Sequence, residues 1–342
     1  MSEAPAPEPK PSDLPGLSRA IIAGDRRALA QAITLVESTR ARDRPAADAL
    51  LEGLLARAGK SIRLGISGAP GVGKSTFIES FGLHVLAQGH RLAVLAVDPT
   101  SRIGGGSILG DKTRMGGLAG DSRAFIRPSP AGATLGGVAR RSREALLLCE
   151  AAGYDVVLVE TVGVGQSETA VADLTDMFLL LLQPGGGDEL QGIKRGIVEL
   201  ADLILVNKAD GELVEAAGRT TADYRHALRL LRPATPGWQP EVQRCSALSG
   251  DGIPEAWQTV ERFRKTVGDS AIATRRANQA RSWLRAELSD SLMAALAGDP
   301  RLAGSLPALE AKVAAGALTP GAAARELLGA FLGPKGADSE AS

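Results

Sequence analysis

A doubly wound α/β fold with a mostly parallel sheet is the architecture this 342-residue sequence predicts. Three observations carry that expectation. Short β-branched or aliphatic runs alternate with helix-length segments from Ser61 to about Gly268. Several of the runs are apolar without interruption, as in strands covered on both faces. One run passes through a glycine-rich loop straight into a helical pattern, the connection expected of a βαβ unit.

Each element can be justified in order. Residues 1–16, MSEAPAPEPKPSDLPG, are Pro-rich and polar, and read as a disordered leader with neither the charged nor the apolar region of a secretory signal. Residues 17–60 form a helical extension, with helices expected at 26–39 and 46–58, Asp25 as the N-cap of the first and Gly59 ending the second. The α/β core spans 61–268, with strands expected at 62–67, 92–97, 124–127, 156–161, 177–183, 203–207 and 242–246. The P-loop helix is expected at 76–88, closed by Gly89. Beyond Asp269 the strands stop, and helices at 271–296, 308–315 and 322–331 make up a C-terminal segment to 334. Its Ala-rich helices suit either exposed packing or self-association, and the tail 335–342 reads as frayed.

Composition excludes several classes. Basic and acidic residues balance at 39 each, so no nucleic-acid footprint and no basic membrane-binding surface is expected. No apolar run reaches the roughly 18 residues that span a bilayer. A cytoplasmic protein is the expectation. Cys149 and Cys245 sit far apart in apolar surroundings, which suits buried, reduced thiols. His84, His90 and His226 are scattered and have no metal-ligand spacing.

The chemistry lies in the loops after the strands. Gly68-Ala69-Pro70-Gly71-Val72-Gly73-Lys74-Ser75, followed by Thr76, has the spacing G-x-x-x-x-G-K-S between a strand and a helix. Glycines there let backbone N–H groups turn in around a triphosphate, while the helix N-terminus adds its dipole. Lys74 is expected on the β- and γ-phosphates and the Ser75 hydroxyl on Mg²⁺. Asn207-Lys208-Ala209-Asp210, at the end of another strand, selects the base. The Asp210 carboxylate can accept from guanine N1–H and N2–H₂, a donor pair adenine lacks. Asn207 braces the loop, and the Lys208 stem lies along the base. Ser246-Ala247-Leu248 supplies a backbone N–H for guanine O6.

Two more strand ends address the metal and the γ-phosphate. VVLVETVG places Glu160 where a Walker B acid stands, with the Gly163 N–H near the γ-phosphate. AVDPTS and the glycine-rich stretch after it bring Asp98 and Asp111, candidates for Mg²⁺ ligation together with Glu160, directly or through water. Asp98 and Asp111 could equally cap a helix or turn. Val164 stands where Ras-like proteins carry the water-orienting Gln, and Gln166, two positions on, is a partial substitute. A low intrinsic GTP hydrolysis rate is therefore expected, raised when another protein or subunit completes the site.

The segments GAPGVGKS, AVDPTS, GGGSILGDKTRM, FIRPSPAGATLGGVA, VLVETVGVGQSETAVADLTD, GGGDELQGIKRGIVELAD and NKAD resemble the MeaB/ArgK family over about residues 17–296. These are G proteins that chaperone adenosylcobalamin-dependent acyl-CoA mutases, chiefly methylmalonyl-CoA mutase. The resemblance implies a P-loop GTPase core of the signal-recognition-like class, GTP/GDP as bound nucleotide, and a C-terminal homodimerisation segment. It also implies roles in catalysis for Lys74, Asp98, Glu160 and Gln166. Residues 185–195 would form a third switch with Lys194 as its functional charge, although the residues alone show only a loop entering a helix. A metallochaperone GTPase of the hydrogenase or urease type and a small-molecule kinase remain as alternatives. The first lacks its His-rich leader here, and the second gives no reason for N-K-x-D.

Overall fold

The computed structural model describes residues 14–97, 115–128, 135–161, 167–185 and 195–333. Seven strands form one sheet: β1 (Ile62–Gly68), β2 (Leu92–Val97), β3 (Ala124–Arg127), β4 (Val156–Thr161), β5 (Met177–Leu182), β6 (Leu203–Val206) and β7 (Glu241–Arg244). Their order is β3-β2-β4-β1-β5-β6-β7, and every neighbouring pair is parallel. The expected "mostly parallel" sheet is thus wholly parallel, and all strands end on the same edge. β1, the strand that feeds the P-loop, lies between β4 and β5, where the chain changes direction of travel across the sheet. Crevices at such switch points hold the ligand in open α/β sheets.

Alternate strand residues separate onto two faces, as a period of two requires. Ile62, Leu64 and Ile66 of β1, Val156 and Leu158 of β4, and Met177, Leu179 and Leu181 of β5 form one core cluster. That cluster packs on Phe77, Phe81 and Val85 of α4 (Lys74–Ala87) and on Trp257, Val260 and Phe263 of α10 (Ile253–Ala297). Each fully buried side chain of this size contributes about 1.5–3 kcal/mol. On the opposite face a Cβ on Gly65 would lie 2.9 Å from Val171 and 2.8 Å from Thr175 Oγ1, so α7 (Ser167–Ala172) and the turn after it sit directly on β1.

The remaining helices follow in order: α1 (Leu14–Ile22), α2 (Arg26–Glu37), α3 (Arg44–Leu54), α5 (Gly116–Gly120), α6 (Leu135–Ala151), α8 (Arg195–Leu200), α9 (Val214–Leu228), α11 (Ser305–Ala314) and α12 (Pro320–Leu332). α1 adds to the two helices expected before the sheet, and it begins inside the expected leader, at Leu14. Asp25 caps α2, its carboxylate accepting from the Arg27 and Ala28 N–H groups. α2 and α3 pack on α6, with Arg44 bonded to Glu144 at 2.6 Å.

Contact density divides the chain into two units, Met1–Gln279 and Ala280–Ser342. α10 begins at Ile253, well before the expected residue 271, and Gly268 interrupts it with φ 79° and ψ 154°. The earlier start follows from the apolar face that Ile253, Trp257, Val260 and Phe263 bury on the sheet. After Gly268, Arg276 grips the N-terminal edge of the sheet. Its guanidinium bonds the Asp176 carboxylate and the Gly59 and Ser61 carbonyls. Beside it, Arg63 makes two bonds to Glu150, at 2.8 and 2.9 Å, and Glu150 also accepts from the Gly59 N–H and the Ser61 hydroxyl. In the second unit Leu302, Leu309 and Ala323 are buried. The Arg301 guanidinium donates to the Phe331 carbonyl at 3.1 Å.

Candidate functional site

β1 ends at Gly68, and the chain turns through the loop into α4. Gly71 and Gly73 take φ of 79° and 93°, a left-handed backbone that favours glycine. A Cβ on Gly68 would lie 2.6 Å from the Leu181 carbonyl of β5, and one on Gly73 would lie 2.8 Å from Asn207 Nδ2. Two of the motif's glycines thus serve close packing as well as turning. Val72 is fully buried and anchors the loop from beneath. Ala69 and Pro70 lie on the rim, and Lys74, Ser75 and Thr76 open α4, whose first N–H groups have no partner four residues earlier. Lys74 Nζ donates to the Gly68 carbonyl at 2.7 Å. That bond bends the amine back over the loop.

The base loop is built onto the phosphate loop. Asn207 Nδ2 donates to the Val72 carbonyl at 2.9 Å, and Lys208 Nζ to the Gly71 carbonyl at 2.6 Å. Lys208 carries the one positive φ outside glycine among the described residues, 58°. The Asn207 bond ties the end of β6 to the phosphate loop. The Lys208 amine, expected only as the end of a stem lying along the base, has a partner in the phosphate loop.

Ser246 and Ala247, both buried, complete the arrangement. The Ser246 hydroxyl bonds Asp210 Oδ2, and the Ser249 N–H returns to that hydroxyl at 3.1 Å. In the Ser246–Leu248 loop, expected to offer a backbone N–H to guanine O6, the Ala247 N–H donates to Asn207 Oδ1 at 3.0 Å. The Leu248 side chain is 86% exposed.

Cys245 was read only as a buried thiol, and it does more. Its carbonyl accepts the Ala209 N–H at 3.0 Å, and its Sγ lies 3.7 Å from Asn207 Oδ1. Burial pushes its pKa up to about 12, so it behaves as a weak neutral donor rather than a reactive thiolate. Position alone signalled it, directly before Ser246 at a strand's end.

Glu160 is buried at the end of β4, in register with Ile66 of β1 and Ala96 of β2. Beside it, Thr161 Oγ1 donates to Ser67 Oγ at 3.0 Å. The structure therefore brings together Gly68 to Thr76, Asn207, Lys208, Asp210, Ser246 and Ala247, and sets Glu160 at the same edge of the sheet. Asp98, Asp111, Gly163, Gln166 and Lys194 lie outside the described residues. Gly185 makes a bond from its N–H to Thr220 Oγ1 at 3.3 Å, but the rest of the expected third switch is also outside them.

A wholly parallel sheet with a glycine-turned loop entering a helix at its switch point defines a P-loop nucleotide-binding protein. Residues 29–301 match the family model described as methylmalonyl Co-A mutase-associated GTPase MeaB. The chain belongs to that family and is a GTPase. It is 51% identical to the mitochondrial methylmalonic aciduria type A homolog of Mus musculus, over 91% of this chain and 78% of that protein. It is 49% identical to GTPase ArgK of Escherichia coli, over 79% of this chain and 82% of that one. Among solved structures, a LAO/AO transport system kinase superposes with a TM-score of 0.75 at 38% identity, over 94% of this chain and 98% of its own.

Proposed function

We propose that this GTPase binds GTP with Mg²⁺ and uses the GTP/GDP cycle to gate cofactor loading of an adenosylcobalamin-dependent acyl-CoA mutase of the methylmalonyl-CoA type, protecting the enzyme from retaining damaged cofactor. The observation that carries the partner is the family match over residues 29–301, whose description is a mutase-associated GTPase.

The residues support the nucleotide half of the reading directly. Asp210 can present a carboxylate to guanine while Ser246 holds its Oδ2 side. Lys74 exchanges a neutral carbonyl acceptor for a phosphate oxygen, a charge-assisted bond roughly twice as strong. The Gly68–Ser75 amides and the α4 N-terminus receive the remaining phosphate charge. The Ser75 hydroxyl and the Glu160 carboxylate are hard oxygen donors, which suits Mg²⁺. Among the described residues no group of three His, Cys, Asp or Glu is placed to hold a metal. Mg²⁺ usually keeps several waters and takes ligands from substrate phosphates, so few protein donors are needed. When bound, Mg²⁺ supplies charge neutralisation at the β- and γ-phosphates. Asp98 and Asp111 are assigned to the same metal. Gln166 and Lys194 are assigned to water positioning and to the nucleotide-sensing loop.

The same observations weigh against the alternatives. A metallochaperone needs exposed soft ligands, and both cysteines are buried. A small-molecule kinase has no use for a base loop riveted to its phosphate loop in the N-K-x-D arrangement.

Two measurements test the proposal. Capture from cell extract with the protein held in a GTP-analogue state and in a GDP state should recover a cobalamin-dependent mutase in different amounts. Recovery of none in either state overturns the chaperone reading. Single-turnover hydrolysis by the isolated chain should run well below about 1 s⁻¹, because Val164 replaces the water-orienting Gln.

A further inference from the structure

β4 parts from β1 at Glu160. Their pairing ends at Ile66 with Glu160, whereas β1 stays paired with β5 as far as Gly68 with Leu181, and β4 stays paired with β2 as far as Thr161 with Val97. The chain entering the phosphate loop is therefore held by backbone on its β5 flank, where a Cβ on Gly68 would meet the Leu181 carbonyl at 2.6 Å. On its β4 flank the side chains take over, and the Thr161 hydroxyl donates to Ser67 Oγ at 3.0 Å. Both are buried, Thr161 at 0% and Ser67 at 1% exposure. A buried hydroxyl left without a partner costs about 1–3 kcal/mol, so packing alone would favour an aliphatic side chain there, as at Val156 to Val159. Strand alternation sends Thr161 and Ser67 to the α7 face of the sheet. It sends Glu160, two residues beyond Leu158, to the face that packs on α4, the helix that opens with Lys74 and Ser75.

We propose that Thr161 is a positioning residue for GTP hydrolysis and acts through Glu160. Its bond to Ser67 fixes the end of β4 against the entrance of the phosphate loop. That bond also fixes the carboxylate one residue earlier, on the opposite face, relative to the phosphates the loop receives. The proposal rests on the reading of Glu160 as an acid of the nucleotide site. A hydroxyl pair that only filled the core would alter stability and leave the rate alone.

The test is single-turnover GTP hydrolysis by the full chain, with affinity for a hydrolysis-resistant GTP analogue measured beside it by calorimetry. Thr161→Val keeps the shape and removes the donor. It should slow hydrolysis about tenfold, because small displacements of a reacting group carry large rate penalties, with affinity changed less than about twofold. Thr161→Ser keeps the hydroxyl and should retain most of the rate. Ser67→Ala removes the acceptor and should reproduce the Thr161→Val effect, which keeps the test decisive if Thr161→Val fails to fold. The double substitution should be no slower than either alone, since both remove the same bond. An unmoved rate in both Thr161→Val and Ser67→Ala, a Thr161→Ser rate as low as that of Thr161→Val, or a fall matched by equal loss of affinity overturns the proposal. Glu160→Gln run in parallel separates the two layers. If it leaves the rate unmoved, the reading of Glu160 falls and takes the proposal with it. If it slows hydrolysis and the other two do not, only the role of Thr161 falls.

Discussion

Asp210 is fixed on one side by the Ser246 hydroxyl, which leaves its remaining lone pairs for a ligand's donors. Two charge-assisted bonds to guanine at about 1.5–3 kcal/mol each predict that Asp210→Asn weakens GTP and GDP by at least about 100-fold. Calorimetric titration checks this, and a loss below about fivefold would sink the assignment. Asn207 predicts a different signature. Its amide bonds the buried Val72 carbonyl and the Ala247 N–H. Asn207→Ala strands both, so it should cost about 2–4 kcal/mol of unfolding free energy with no nucleotide added. Denaturant melts distinguish the two substitutions, since Asp210→Asn should leave that baseline nearly unchanged. Residues such as Lys74 and Asp210 were legible in the sequence because their chemistry lies in short covalent spacings. Cys245 was not, since it acts on a partner 38 residues away that only folding brings near.

Among the elements, the strands were the most legible, because continuous apolar runs between turn residues have few other readings. All seven exist, with ends that move by one or two residues where hydrogen bonding rather than hydropathy sets the limit: β7 starts at Glu241 and stops at Arg244. α10 was read short because its first turns look polar in sequence; their apolar stripe recurs at helical spacing only once the sheet face is known. Gly268 supplies a direct test. Its φ of 79° with ψ of 154° belongs almost only to glycine, while a Cβ there meets nothing within 4 Å. Gly268→Ala should therefore cost about 1–3 kcal/mol from backbone strain alone, read as a lowered melting temperature. Glu150 ties β1 to the end of α6. Burial acts to raise its pKa, but the Arg63 guanidinium, the Ser61 hydroxyl and the Gly59 N–H outweigh that and hold it below the ordinary value of 4.5. Its contribution to stability is thus complete above about pH 4.5 and is lost as pH falls through the lowered folded value. Glu150→Gln should remove that part of the acid limb and cost about 3–5 kcal/mol at neutral pH, since it leaves Arg63 buried without its charge partner. Melting curves from pH 3 to 7 show both effects.

At the scale of the whole molecule, the second unit carries an apolar stripe that the described residues leave exposed. Leu284, Leu288 and Leu292 recur every four residues on α10 at 69%, 57% and 53% exposure, with Met293 beside them at 64%. If a second copy of the chain covers this face, Leu288→Asp should lower the mass seen in sedimentation velocity without changing GTP affinity, and an unchanged mass would remove that reading. The sequence hinted at the segment but not at the stripe, because Ala-rich helices look alike whether bare or covered. Within the first unit, the bonds from Asn207 and Lys208 into the phosphate loop make the purine half of the site one rigid casting. GTP and GDP offer that casting the same handle, so it registers that a nucleotide has arrived and nothing about its age. Any partner that tells a fresh nucleotide from a spent one must take its information from the other side of β1, where β4 and β2 end.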